Sequence, residues 1–353
     1  MVLSLAESLP SLVARRFTSA KESGHLVFSQ TQLTTIHASG IPYQLRYCPA
    51  LAKKQSEAPK LNERKGPKPD PFQDPPPDLT LVEIPKDKPT HFLVLNKFPV
   101  IPNHFILATK PFKEQTDILE REDLEVTYAC LKAWSEDAPQ GYALDSQRRL
   151  FAFFNSGEYS GASQPHRHLQ FLPVEAMRGS ESDPWTPLID RFSTTGDAVT
   201  DSSGFQQLPQ LPFVHFALPI PPNASAETLH QIYLSLYKAA VTAVNNAAPE
   251  SARDHLPLTT KGPAAISYNL AMTVSTMMIC PRRSEHAQLT IDPAGAQDVV
   301  QAGLLSLNGT ILAGTLMVKA EAEWDELRSK QANLNFVLAT IAFPRQDGAT
   351  PVL

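Results

Sequence analysis

The sequence predicts an α+β protein in which antiparallel sheets carry packed helices, arranged as two halves. Three observations predict it. Short β-rich runs come in pairs around brief turns, helical patterns with one apolar face separate those pairs, and a polar, proline-bearing stretch at 178–207 parts the chain in two.

In chain order, residues 49–78 are dense in proline and lysine, which removes backbone donors and predicts an extended arm or loop. Residues 91–97 (HFLVLNK) and 104–109 (HFILAT) follow as an antiparallel pair, joined by a turn holding Pro99 and Pro102. Leu124, Tyr128, Leu131 and Trp134 then recur at helical spacing, predicting a helix over 116–134. Strands return at 150–154 and 168–172 around a glycine-bearing loop at 155–165.

Residues 178–207 lack any hydrophobic period and read as a surface connection between one domain at 1–190 and a second at 205–353. The second half continues with a strand at 213–218 and a helix from about Ser225, whose Leu229, Ile232, Tyr233 and Leu236 share a face. A hairpin at 266–272 and 276–280 loosely echoes the first one and suggests an internal repeat. A short helix around Trp324 and a strand at 336–343 complete the reading.

With 353 residues and 42% apolar content, the chain is long enough for about two cores. Its net charge of −5 offers no overall positive field to nucleic acid or an anionic membrane, so no nucleic-acid or membrane partner is expected, and any bound anion must meet local lysines. Cys48, Cys130 and Cys280 form no CxxC pair, which fits a reducing compartment. No basic, apolar leader opens the sequence, and the most apolar stretch, 264–280, is too polar for a membrane span. The expected location is the cytoplasm, with the nucleus also open to it, and the expected state is a monomer.

The chemistry concentrates in Ser160-Gly161-Ala162-Ser163-Gln164-Pro165-His166-Arg167-His168-Leu169-Gln170-Phe171. In an extended strand alternate side chains share a face about 7 Å apart, so His166, His168 and Gln170 point one way while Leu169 and Phe171 point the other. Three readings of that polar face compete. It is a solvated edge, or a metal site of HxH type, which Gln170 serves poorly as third ligand, or a nucleophilic imidazole poised against phosphorus. For the last, Gly161, Ala162, Ser163 and Gln164 supply small residues and donors for phosphate oxygens, with Asn155 and Gln170 beside them.

The run GASQPHRHLQF resembles the signature of the histidine-triad superfamily in its transferase form. More closely, the chain resembles the fungal diadenosine tetraphosphate phosphorylases, or ATP adenylyltransferases. The likeness extends over 40–54, 95–110, 115–119, 155–174, 212–216, 268–282 and 308–319. It implies a histidine-triad-like catalytic domain in the first half and an ATP adenylyltransferase domain in the second. His168 is then the adenylylated nucleophile, Gln170 binds the α-phosphate and His166 supports it. Lys54, Asn96, Lys97, Asn155 and the loop from Gly161 to Gln164 contact nucleotide, joined by Asn308, Gly309, Thr310, Thr315 and Lys319 from the second half. A backbone group near the first histidine is expected to fix the nucleophile's tautomer.

The implied reaction is reversible phosphorolysis of diadenosine tetraphosphate to ATP and ADP through an adenylyl-histidine. A divalent ion, Mg²⁺, is expected through the substrate phosphates, without protein metal ligands. Leu312 and Thr315 stand where the family commonly has Phe and Met, and Val274 and Thr276 where a basic residue and Trp are common. A dinucleoside polyphosphate hydrolase, a hexose-1-phosphate uridylyltransferase and a non-catalytic nucleotide-binding module are the alternatives.

Overall fold

Ten strands between residues 80 and 282 form one sheet that runs through both halves of the chain. A computed structural model describes residues 3–50, 69–136, 148–179, 185–194, 196–247, 256–291 and 300–345. Helix α1 (Leu9–Glu22) precedes a hairpin of β1 (Gln32–Ala38) and β2 (Ile41–Tyr47). Next come β3 (Thr80–Ile84), β4 (His91–Leu95), β5 (Phe105–Thr109), α2 (Arg121–Glu136), β6 (Leu150–Ser156) and β7 (His168–Pro173). Short helices α3 (Val174–Met177) and α4 (Arg191–Thr194) lead to β8 (Val199–Thr200), β9 (Gln206–Gln207) and β10 (Phe216–Pro219). The chain continues through α5 (Ala226–Ala247), β11 (Ser267–Met272), β12 (Thr276–Arg282), β13 (His286–Ile291), β14 (Val300–Ser306), β15 (Thr315–Val318), α6 (Glu321–Ser329) and α7 (Asn333–Ile341).

The large sheet has the order β3-β4-β5-β7-β6-β11-β12-β10-β9-β8, with every neighbour antiparallel. This is the predicted α+β architecture of antiparallel sheet and packed helices. Alternation sends Ala152 and Phe154 of β6 into a core shared with α1, α2 and α5, and Phe151 and Phe153 into a second core. The second core packs against β1, β2 and β15, residues 185–192, α6 and α7. Among the described residues no helix is long and apolar enough to cross a membrane.

Several expectations need correction. The 178–207 stretch is no mere surface connection: Trp185, Leu188, Ile189 and Phe192 are buried, and β8 and β9 extend the sheet. Isolated anchors of this kind have no period to detect. Residues 333–341 form helix α7, not a strand at 336–343. Leu334, Val337, Leu338 and Ile341 are buried at i, i+3, i+4 and i+7 while Phe336 is exposed, so packing overrides the strand preference of FVLATIAF. The helix expected from residue 116 starts at Arg121. The arm at 49–78 ends in turns at 71–74 with Phe72 buried, so that end is a fixed segment; its residues 51–68 lie outside the described part.

Candidate active site

Pairing of β5 with β7 sets Ala108 opposite His168 and Ile106 opposite Gln170, while Phe153 of β6 faces Gln170 from the other side. Beyond Gln170 the β6–β7 ladder stops, and the buried Gln115 side chain takes its place. Its Nε2 donates to the carbonyls of Asn155 at 2.7 Å and His168 at 3.2 Å, and its Oε1 accepts from the His168 N–H at 2.7 Å. The backbone of His168 is therefore held by hydrogen bonds on the β6 side without a continuous strand.

His168 Nδ1 lies 2.8 Å from the carbonyl of His166. A carbonyl only accepts, so Nδ1 carries the proton and Nε2 keeps its lone pair. This is the tautomer expected from the sequence. Burial, against the pull of that hydrogen bond, lowers the His168 pKa to about 4, and the ring is neutral at pH 7.

His166 precedes β7 at a single bridge to Glu114. Its Nε2 lies 2.7 Å from the Thr109 carbonyl and its Nδ1 2.6 Å from Asp70 Oδ2. The first contact places a proton on Nε2, and the second ties the other ring nitrogen to the Asp70 carboxylate. Phe72 lies over both histidines, with ring centroids 5.1 Å from His168 and 5.7 Å from His166. The polar strand face thus lies beneath residues 70–72, with His168 only 3% exposed.

The second half closes one side of the site. Asn155 Oδ1 accepts from Asn269 Nδ2 and from the Gly309 N–H, each at 2.9 Å. A Cβ at Gly309 would meet Asn155 Oδ1 at 2.8 Å, and one at Gly161, where φ is +78°, would meet Asn308 Cβ at 2.8 Å. Only glycine permits these two approaches. Asn308 Oδ1 accepts from the Thr310 N–H at 3.0 Å. Asn155, Gly161, Asn308, Gly309 and Thr310 are thereby drawn together.

The remaining candidates are less uniform. Ala162 and Gln164 are half-buried and Ser163 exposed on the adjoining loop. The Thr310 hydroxyl donates to the Thr315 carbonyl at 2.9 Å, and the buried Thr315 hydroxyl donates to Gln44 Oε1 at 3.1 Å, so both are committed inside the protein. Lys97 is exposed with Nζ 5.6 Å above the Phe98 ring. Lys319 is half-buried at the end of β15, and Lys54 lies outside the described residues. Asn96 is tied to His104 and to the Phe98 backbone. Sequence reasoning missed Gln115, His104, Asp70 and Phe72 as site residues. Only His104, a histidine at the mouth of a hairpin opposite the HxHxQ strand, left a local signal.

Paired histidines at the start of an antiparallel strand, one with an unprotonated ring nitrogen and followed two residues on by a glutamine, form a set chemically suited to nucleophilic transfer at phosphorus. The chain belongs to the Ap4A phosphorylase family: residues 2–191 match its model for the Ap4A phosphorylase N-terminal domain, and residues 209–344 match the ATP adenylyltransferase C-terminal domain. Diadenosine 5',5'''-P1,P4-tetraphosphate phosphorylase 2 of Saccharomyces cerevisiae is 27% identical over 359 residues, covering 98% of each chain. Protein APA1 of the same yeast is 27% identical over 363 residues, covering 99% of this chain and 98% of its own. The crystal structure of yeast Ap4A phosphorylase Apa2 shares the fold, with a TM-score of 0.74, 24% identity and 98% coverage of both chains. The structure of Apa2 in complex with Ap4A gives a TM-score of 0.73 at 24% identity, covering 96% of this chain and 99% of that one.

Proposed function

We propose that this chain is a nucleotidyltransferase that converts diadenosine tetraphosphate and phosphate into ATP and ADP, reversibly, through an adenylyl-His168 intermediate. The observation that carries this reading is the neutral His168, whose proton is held on Nδ1 by the His166 carbonyl. Nε2 attacks an α-phosphorus, an N–P bond forms, and the P–O bond to ATP breaks. Phosphate then attacks the same phosphorus, the N–P bond breaks, and ADP leaves with His168 restored. The charge of the imidazolium adduct, delocalised and hydrogen-bonded at Nδ1, makes it a good leaving group in this second step.

Gln170 holds a non-bridging oxygen through its amide, and Asn155 with the loop from Gly161 to Gln164 holds phosphate or ribose. Lys54, Lys97 and Lys319 supply positive charge to the polyphosphate, and Asn308 and Gly309 border it. A divalent ion such as Mg²⁺ would ride on the substrate phosphates, because Asp70, the carboxylate that reaches His166, is already engaged there. The protein acts as a monomer in a reducing compartment, the cytoplasm or nucleus, which suits its three free, buried cysteines.

The test is intact-protein mass after brief incubation with diadenosine tetraphosphate and Mg²⁺ in the absence of phosphate. The wild type gains one adenylyl group that phosphate removes, and His168→Ala gains none while losing at least ~10⁴ in kcat. Cleavage to AMP without an adduct would turn the reading to hydrolysis, and affinity with no cleavage to a binding module.

A further inference from the structure

Three side chains form a directed chain of hydrogen bonds that ends at Gln170. The Phe98 backbone N–H lies 2.9 Å from Asn96 Oδ1, which fixes the Asn96 amide with its nitrogen turned the other way. That nitrogen lies 3.0 Å from His104 Nδ1, which must accept. The His104 proton then sits on Nε2, 3.1 Å from Gln170 Oε1. With its oxygen so occupied, Gln170 turns its NH2 group away from His104. The reverse arrangement is excluded, since it would set the Asn96 amide nitrogen against the Phe98 N–H, two donors face to face.

Burial supports the same assignment. His104 is 7% exposed, and desolvation, against the pull of its hydrogen bond to Gln170, lowers its pKa to about 4. A single proton therefore stays on the ring at pH 7, and the Asn96 contact decides where.

We propose that His104 is a positioning residue, which with Asn96 locks the amide of Gln170 so that its NH2 rather than its carbonyl meets the α-phosphate. The proposal rests on the phosphorylase reading for the identity of the anion. A carbonyl oxygen in that place would repel the non-bridging oxygens, so an amide free to flip loses both binding and rate.

A double-mutant cycle tests this, run once on phosphorolysis of diadenosine tetraphosphate and once on AMP affinity by calorimetry. His104→Leu should lower kcat/KM by about 10- to 100-fold, the order of losing an oriented donor. His104→Gln, whose amide nitrogen can stand near the place of Nε2, should recover most of that loss. In a Gln170→Ala background His104→Leu should change neither quantity by more than about twofold, because the group it acts through is gone. Asn96→Ala, crossed with Gln170→Ala, reads the same coupling if His104→Leu does not fold. Equal losses in both backgrounds, on turnover and on affinity alike, would overturn the relay. Absence of ATP and ADP formation by the wild type would instead overturn the phosphorylase reading, and the affinity cycle would still decide the relay.

Discussion

His168 and His215 share one local arrangement. Each imidazole donates Nδ1–H, at 2.8 Å, to the carbonyl two residues earlier, that of His166 in one case and of Phe213 in the other. Burial brings both to a pKa of about 4. They differ at the other nitrogen: His215 Nε2 accepts the Leu208 N–H at 2.8 Å, whereas His168 Nε2 has no hydrogen-bond partner among the described residues. The same backbone device thus yields a histidine bonded at both ring nitrogens in the second half and, in the first, one whose Nε2 lone pair is unengaged among the described residues. An ordinary histidine, with a pKa of about 6.5, would be largely protonated at pH 5.5 and unable to attack. His168 stays neutral there, so the single-turnover rate of adenylyl transfer should hold nearly level from pH 7 to about 5 and decline only toward pH 4. A decline centred near pH 6.5 would show that His168 is solvated in the working enzyme.

Between the two histidines, Arg167 points away from the site and ties the start of β7 to the start of α2. Its guanidinium lies 3.0 Å from Asp123 and 3.1 Å from Glu120, and Asp123 also receives His91 Nε2 at 2.9 Å and the Glu120 N–H at 2.8 Å. Burial alone would raise the Asp123 pKa, but the His91 hydrogen bond and the Arg167 charge hold it below the usual carboxylate range. The stabilisation is therefore complete above about pH 3.9, the unfolded value, and is lost as pH falls through the lower folded one. Arg167→Met leaves a buried, underpaired carboxylate and should cost about 3–5 kcal/mol in urea unfolding at pH 7. A loss under about 1 kcal/mol would mean that water already screens the cluster. Elements of this sort explain what a sequence makes legible. The hairpin of β4 and β5, the β6 and β7 strands and α5 announce themselves through local period, and the HxHxQ strand through its spacing. Gln115 and Asp70 do not, because their roles depend on partners 53 and 96 residues away. β1, β2, β13 and β14 lack a pattern strong enough to stand out, and α7 carries a strand-like composition on a helical spacing.

At the scale of the whole molecule, the two segments matched by family models are not separate bodies. Strand β6 of the first pairs with β11 of the second from Ser156 opposite Tyr268 to Ala152 opposite Met272. Strand β2 pairs in parallel with β15, from Gln44 opposite Thr315 to Tyr47 opposite Val318. The Asn155–Gly309 bond makes a third junction inside the site itself. Independent domains meet through few contacts, whereas here backbone ladders and both hydrophobic cores cross the boundary. Opening one half would strip hydrogen bonds from the sheet edge of the other and expose its core. Urea should therefore unfold the protein in one transition. Variants that keep only Trp134, buried in the first half, or only Trp324, buried in the second, place a probe on each side. Within each variant the fluorescence midpoint should coincide with loss of turnover and of far-ultraviolet circular dichroism. Separated midpoints within one variant would mean that the halves fold alone, and the site, where Gly309 stands against Asn155, would then assemble only where they dock.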